Sequence, residues 1–317
     1  MSKQRVILGI DTSNYTTSVA LLSIDGDLIA NIKEPLPVKA GERGLRQSEA
    51  VFSHIKNLPI CMDRLSEYLK DREICAVGVS DKPRNQEGSY MPCFLSGVAS
   101  ARSISTALGV PLYTFSHQCG HIMAALFSSG RMDLCERKFA AFHISGGTTE
   151  FVKITPDEHG FCAELIGGTK DLNAGQIIDR IGVYMGLSFP CGAQMEELAL
   201  SYEGKPRRVK ASIDGTYVNL SGLENMALKL YNESCDKALV SRFVLDYIAA
   251  AIVGMTEAYV NDSGAEPIIY AGGVMCNSII KSTLSERFDA YFAAPEMSAD
   301  NAVGIANLAL RAYKKEN

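Results

Sequence analysis

The order of apolar segments along this chain repeats once, and that repetition limits its fold more than any single motif does. Val6–Ile10, Thr17–Ser23 and Leu28–Ile32 read as three consecutive strands, with Asp25-Gly26-Asp27 as the hairpin turn between the last two. A helical pattern follows over Ser48–Leu69, apolar at 51, 52, 55, 58, 62, 65 and 69, with a kink expected at Pro59. Ile74–Val79 is a fourth strand, Phe94–Leu108 a second helix and Val110–Phe115 a fifth strand, and a third helix opens at His117. The second half starts over with strands Phe139–Ser145, Thr149–Ile154 and Phe161–Ile166. An amphipathic helix follows, carrying Val240, Phe243, Val244, Tyr247, Ile248, Ala251, Ile252 and Met255 on one face. Strand Pro267–Tyr270, helix Asn277–Phe288, strand Ala290–Ala293 and helix Asp300–Tyr313 complete it. Three strands, helix, strand, helix, strand, helix therefore occurs twice. An insertion at about 167–236 interrupts the second copy.

A chain of 317 residues has room for two such lobes, each an α/β layer structure. The expected division is 1–116 plus 300–317 for the first lobe and 117–299 for the second. With 47% hydrophobic and 21% charged residues the composition is that of a globular protein. No apolar run is read as approaching a membrane span, and the opening Met-Ser-Lys-Gln-Arg lacks the apolar core of a secretory signal, so no membrane association and a cytoplasmic location are expected. Nine scattered cysteines without a C-x-x-C pair read as buried free thiols of a reducing compartment. A net charge of −5 argues against a protein that coats nucleic acid non-specifically, although Lys205–Lys210 is a local basic run.

Two kinds of residue pattern carry chemistry. His117 and His121 are four apart at the start of a helix, so both rings share a face and reach one metal ion. They open the last helix of the first copy, and Asp300 opens the last helix of the second. Equivalent positions of facing lobes would bring two imidazoles and a carboxylate together, a set that suits iron, zinc or manganese and leaves positions open. The bland alternative is an accidental surface pair, but the chain has only five histidines. The second pattern is a small-residue turn after a buried strand: Asp11-Thr12-Ser13, Ser145-Gly146-Gly147-Thr148 and Ala271-Gly272-Gly273. Such turns present backbone N–H groups to phosphate, though each alone is often just a tight turn.

The repeated plan resembles the actin/sugar kinase/Hsp70 superfamily (ASKHA): two pseudo-symmetric RNase H-like, actin-like ATPase lobes with a central nucleotide cleft. More specifically, an ordered set of motifs resembles the glycoprotease-like family of tRNA threonylcarbamoyladenosine synthases (TsaD-like). These are Ile7-Leu-Gly-Ile-Asp-Thr-Ser13, His117-x-x-x-His121, Ile144-Ser-Gly-Gly-x-Thr149, Ala174-Gly-x-x-x-Asp179, Pro190-x-Gly192, Ser221-Gly-Leu223, Ala271-Gly-Gly-Val-x-x-Asn277 and Asp300-Asn301. The resemblance covers nearly the whole chain. It implies transfer of threonylcarbamoyl from threonylcarbamoyl-AMP to N6 of an adenosine in tRNA. It further implies one divalent metal, iron or zinc, on His117, His121 and Asp300. An adenine nucleotide (the adenylate donor, ATP or AMP) would lie against His143, Ile144, Ser145, Gly146, Gly147, Asp179, Gly192 and Asn277. Asp11 would face the cleft as a catalytic carboxylate. A smaller paralogous subunit, docked through first-lobe helices about Ser96–Leu108, is the implied protein partner.

The departures cluster in the first lobe. The family's acidic pair after strand one is replaced by Tyr15 and Thr16, its Glu by the shorter Asp11, and its compact Gly-Pro-Gly-Leu by the longer, polar Asp81–Tyr90. The His of the family's Ser-Gly-Gly-His-Thr is Thr148. A divergent paralogue fits this pattern. Two alternatives follow from it: a nucleotide-binding regulatory partner, or a carbamoyl-type transferase or ATPase with another acceptor.

Overall fold

A computed structural model describes residues 3–13, 15–37, 46–158, 160–205, 209–264, 266–298 and 300–317. Residues 206–208 of the basic run Lys205–Lys210 lie outside the described residues. The first copy of the plan is β1 (Gln4–Asp11), β2 (Thr16–Ser23), β3 (Leu28–Pro35), α1 (Gln47–Ser66), β4 (Arg72–Lys82), α2 (Phe94–Leu108), β5 (Leu112–Ser116) and α3 (His117–Ser129). The second begins with β6 (Phe139–Ile144), β7 (Thr149–Asp157) and β8 (Gly160–Thr169). The insertion supplies α4 (Ala174–Tyr184), α5 (Gly192–Leu200), β9 (Ser212–Asp214), β10 (Tyr217–Asn219) and α6 (Ser221–Ser234). Then come α7 (Lys237–Ser263), β11 (Ile268–Ala271), α8 (Ser278–Ser285), β12 (Ala290–Phe292), the short α9 (Pro295–Ser298) and α10 (Val303–Glu316).

The repeat extends to topology. One sheet has the order β3-β2-β1-β4-β5, and the other runs β8-β7-β6-β11-β12 with β10 and β9 added beyond β8. In both, the first two strands pair antiparallel and the first strand pairs parallel to the fourth. Parallel pairing requires crossover connections, which α1 and α7 supply.

The described chain forms two compact units. The first comprises 1–135, 156–162 and 296–317, and the second 136–155 and 163–295. The boundary therefore falls after α3, not at 116/117 as expected. The reason is packing: α3 lies against α10, and α10 lies on β1 and β4. On one face of β1, Val6, Leu8 and Ile10 join Leu58, Cys61 and Leu65 of α1 in the core. On the other face Gly9 and, from β4, Gly78 remove side chains where α10 passes. A Cβ on Gly9 would lie 2.6 Å from the Ala302 carbonyl oxygen, and one on Gly78 2.7 Å from Ala309 Cβ. Helix α1 continues through Pro59 to Ser66 as one element.

In the second unit Phe142 stacks between Phe151, with ring centres 3.8 Å apart, and Tyr270, 5.4 Å away. Helix α7 packs into this core and buries Ser241, Leu245, Ala249 and Val253 besides the expected apolar face, of which Phe243 is only partly buried. It is long and apolar enough to cross a membrane by length and composition, contrary to the expectation that no run approaches a span. Its burial accounts for that composition: a helix apolar nearly all round fits a protein core.

Candidate functional site

The metal candidate lies within the first unit. Ser116 caps α3, its Oγ accepting from Cys119 N at 3.3 Å, so His117 is the first helical residue and His121 follows one turn later. Asp300 is held by the turn that starts α10, where Asn301 Oδ1 accepts from Val303 N at 3.1 Å and Asn301 Nδ2 donates to Met297 O at 3.0 Å. Two glycines let the helices close on each other. A Cβ on Gly304 would fall 1.8 Å from Gly120 O, and one on Gly120 2.9 Å from Ile305 Cδ1. Gly120 sits between the two histidines in His117-Gln-Cys-Gly-His121, and sequence reasoning passed over it.

As a result, one ligand atom each from His117, His121 and Asp300 lies within 4.8 Å of the others. Asp300 Oδ1 is 3.5 Å from His117 Nε2 and 3.3 Å from His121 Nε2. The imidazole centres are 4.2 Å apart, with planes inclined at 71°. Two imidazole nitrogens and a carboxylate oxygen converging from two rigid helix starts fit a divalent transition metal. The expectation that the ligands come from facing lobes is corrected: all three belong to one unit.

Asp11 differs from expectation as well. It is fully buried, and its carboxylate accepts from three side chains. Ser13 Oγ donates to Oδ2 at 2.6 Å, Ser80 Oγ donates to Oδ1, and His117 Nδ1 lies 3.3 Å from Oδ1. A carboxylate so enclosed does not face open solvent, contrary to the expectation that it faces a cleft. Burial works against charge on His117, but Asp11 and Asp300 overcome it and push the ring up to about 10. Burial likewise favours the neutral acids, yet the imidazoles hold Asp300 well below the usual carboxylate range and lower Asp11.

Of the nucleotide candidates, the Asp11–Ser13 turn lies in the first unit, and the others lie in the second, joined by contacts from one to the next. β6 ends in the turn Ser145–Thr148, closed by Ser145 N to Thr148 O at 2.8 Å. The N-terminus of α4 abuts it: Asn173 Nδ2 donates to Gly147 O at 3.0 Å, and a Cβ on Gly175 would lie 2.5 Å from Ser145 O. One turn further along α4, Asp179 Oδ1 accepts from Cys191 N at 2.8 Å, beside Gly192 at the start of α5. Burial raises Asp179, and that hydrogen bond only partly offsets it. From α5, Glu196 Oε1 accepts from Ser278 N at 2.7 Å at the head of α8, where Asn277 Oδ1 caps Ile279 N and Ile280 N. Gly272, at φ 102°, passes so close to β6 that a Cβ would lie 2.2 Å from Ile144 O. His143, half-buried, pairs with Ala271 across β6 and β11. The links through Glu196, Asn173 and Gly175 were not anticipated, since each depends on elements of the insertion.

Gly146, Gly147, Gly192 and Gly273 stand apart from the glycines that packing explains. A Cβ on any of them meets nothing within 4 Å, and none has the left-handed φ that favours glycine. Neither sterics nor conformation within the unit requires glycine there, a property they share with Gly222.

Fold and site together define a two-unit α/β protein in which two histidines and one carboxylate converge. Among solved structures, the chain aligns with full-length HypF in its phosphate- and nucleotide-bound form. That alignment has a TM-score of 0.64 at 12% identity and covers 100% of this chain and 48% of HypF, so the chain spans about half of that protein. It also aligns with component A of the Acidaminococcus fermentans (R)-2-hydroxyglutaryl-CoA dehydratase, at TM-score 0.56, 16% identity and 98% of each chain. The family profile described as TsaD, tRNA N6-adenosine threonylcarbamoyltransferase, matches residues 29–307, and the chain belongs to that family. The family member of Streptococcus suis (strain 05ZYH33) is 28% identical, over 100% of this chain and 95% of its own length. That of Methanopyrus kandleri is 26% identical over 95% of this chain and 86% of its own.

Proposed function

We propose that this chain transfers threonylcarbamoyl from threonylcarbamoyl-AMP to N6 of an adenosine in tRNA, in the cytoplasm. The convergence of His117, His121 and Asp300, in a chain of this family, carries the reading. Iron or zinc held by these residues supplies a Lewis acid for a carbamoyl carbonyl. The Ser145–Gly147 turn offers backbone N–H groups to the donor's phosphate, with His143 and Ile144 leading into it. Asp179 accepts from the ribose hydroxyls, while Gly192 and Asn277 flank the nucleoside. In the transfer the adenosine nitrogen forms a bond to the carbamoyl carbon, the carbon–oxygen bond to phosphate breaks, and AMP leaves with that electron pair. The amine loses one proton.

The loss of the acidic pair at Tyr15 and Thr16 points to weak transfer by the chain alone. A smaller paralogous subunit docked on α1 and α2, where Phe52, Ile55, Leu95 and Leu108 are exposed, is the partner that would supply the missing groups. The test is complementation of a strain depleted of its threonylcarbamoyladenosine synthase, with the modified nucleoside measured by mass spectrometry. Nucleoside formed by the wild-type chain, with or without the partner, and lost with His117→Ala/His121→Ala supports the assignment. No nucleoside under either condition, with folded protein present, refutes it and favours another acceptor.

A further inference from the structure

The hydrogen bonds around Asp11 form a pattern that transfer chemistry alone does not explain. A buried carboxylate at a strand end commonly serves as a turn former, bonding backbone N–H groups. Asp11 instead collects side chains, from Ser13 in the first loop, Ser80 at the end of β4, and His117 at the head of α3. The two imidazole nitrogens of His117 point opposite ways, Nδ1 to Asp11 and Nε2 to Asp300. Asp11 is therefore on the far side of the ring from the place where His117, His121 and Asp300 converge, and it is not one of the converging set.

We propose that Asp11 is a positioning residue for the metal centre, holding the proton of the His117 ring on Nδ1 so that Nε2 is the ligand atom. An ionised carboxylate only accepts, and here each donor it faces fixes its rotation. Ser13 and Ser80 grip both oxygens, which leaves the Asp11–His117 contact one geometry. Carboxylate–histidine–metal relays of this kind raise the basicity of the ligand nitrogen and set the ring's orientation. Ser80 immediately precedes the Asp81–Tyr90 loop, which folds back on α3 through Gln118 N to Pro83 O at 3.0 Å and Asn85 Nδ2 to Cys119 Sγ at 3.4 Å. Ser13 and Ser80, which hold the carboxylate, thus adjoin the two segments in which the chain departs most from its family. Here Asp11 replaces the family's longer Glu, and the serine pair fixes the shorter side chain in reach of His117.

The inference rests on the metal reading, and the experiment separates the two. Zinc affinity of the full chain is measured by chelator competition for the wild type, Asp11→Asn, Asp11→Glu and Ser80→Ala, with folding followed by circular dichroism. Nitrogen-15 NMR of the zinc-loaded protein reports which His117 nitrogen carries the proton. Expected are a proton on Nδ1 in the wild type and a 10–100-fold weaker affinity in Asp11→Asn. Ser80→Ala, the milder change should Asp11→Asn fail to fold, should give a smaller loss, and Asp11→Glu should recover part of it. Wild-type affinity in both Asp11→Asn and Ser80→Ala, or zinc bound through Nδ1, overturns the role of Asp11 while the metal centre stands. Zinc retained by His117→Ala/His121→Ala overturns the metal reading itself, and the inference with it.

Discussion

Gly304→Ala is the most discriminating single change this structure offers. The added Cβ would sit 1.8 Å from Gly120 O, with Gly120 C at 2.7 Å and Ala124 N at 2.9 Å, all backbone atoms of the facing helix. No rotamer relieves such a clash, so α3 and α10 must separate by roughly 1.5 Å to restore ordinary contact. Overpacking of this kind costs about 1–3 kcal/mol, and the better helix propensity of alanine returns at most about 1 kcal/mol. A net loss of about 2 kcal/mol corresponds to a melting temperature lower by about 4–8 °C. The larger effect falls on the metal set. Its ligands ride on opposite sides of the same crossing, and metal–ligand distances tolerate only about 0.2 Å. Metal content after gel filtration should drop well below one ion per chain in a protein that is still folded. Gly222→Ala is the control: it sits equally near a helix start, in α6, with nothing within 4 Å of the new Cβ, and should change neither quantity. Wild-type metal content and melting temperature in Gly304→Ala would refute the argument that this close approach builds the site.

Further outcomes follow from the same geometry. Gly146→Ala should leave the melting temperature of the ligand-free protein unchanged, because its Cβ enters open space, yet reduce the stabilisation produced by AMP or ATP in thermal shift. An unchanged ligand shift would remove the cradle reading. Asp179→Ala should abolish most of the rise in melting temperature produced by saturating AMP, about 2.7 kcal/mol at a hundredfold excess over Kd. A full rise in that variant would take the ribose contact away from Asp179. In metal-free protein, His117 is pushed up from its ordinary 6.5 to about 10, against the opposing effect of burial. Its contribution to stability is therefore complete below about pH 6.5 and fades as pH rises through 10. Urea midpoints at pH 6, 8 and 10 should fall for the wild type but flatten in His117→Gln, and parallel curves for the two would contradict the assignment.

Much of the architecture is legible in the chain because buried strands leave continuous apolar runs. Val6–Ile10 lies inside β1, and the insertion about 167–236 coincides with α4 to α6. The histidine pair reads directly from helical spacing. What periodicity does not carry is which unit a helix joins. α3 was read as the last helix of the first copy yet assigned to the second lobe, because its partner α10 is distant in sequence and glycines mark their meeting. Asp11 was misjudged for a related reason. Its burial depends on Ser80 and His117, each about seventy or more positions away, and a strand-end Asp looks the same in a sequence whether exposed or enclosed. β9 and β10, three residues each, are too short to show alternation.

The passage of α10 across β1, β4 and α3 also sets an order of events at the ribosome. The first 135 residues emerge with a sheet face lined by Gly9 and Gly78 and with both histidines in place, but without the helix that covers them. Residues 136–295 must be made next, which at about 5–20 residues per second is on the order of ten to thirty seconds. Only at the end of that interval does the second unit have all its strands and close, while the older part of the chain is still unsealed and without Asp300. The first unit to be translated is therefore the last to be finished. A nascent chain stalled before Asp300 would carry the whole second unit, two of the three candidate metal ligands and an uncovered face of the first sheet.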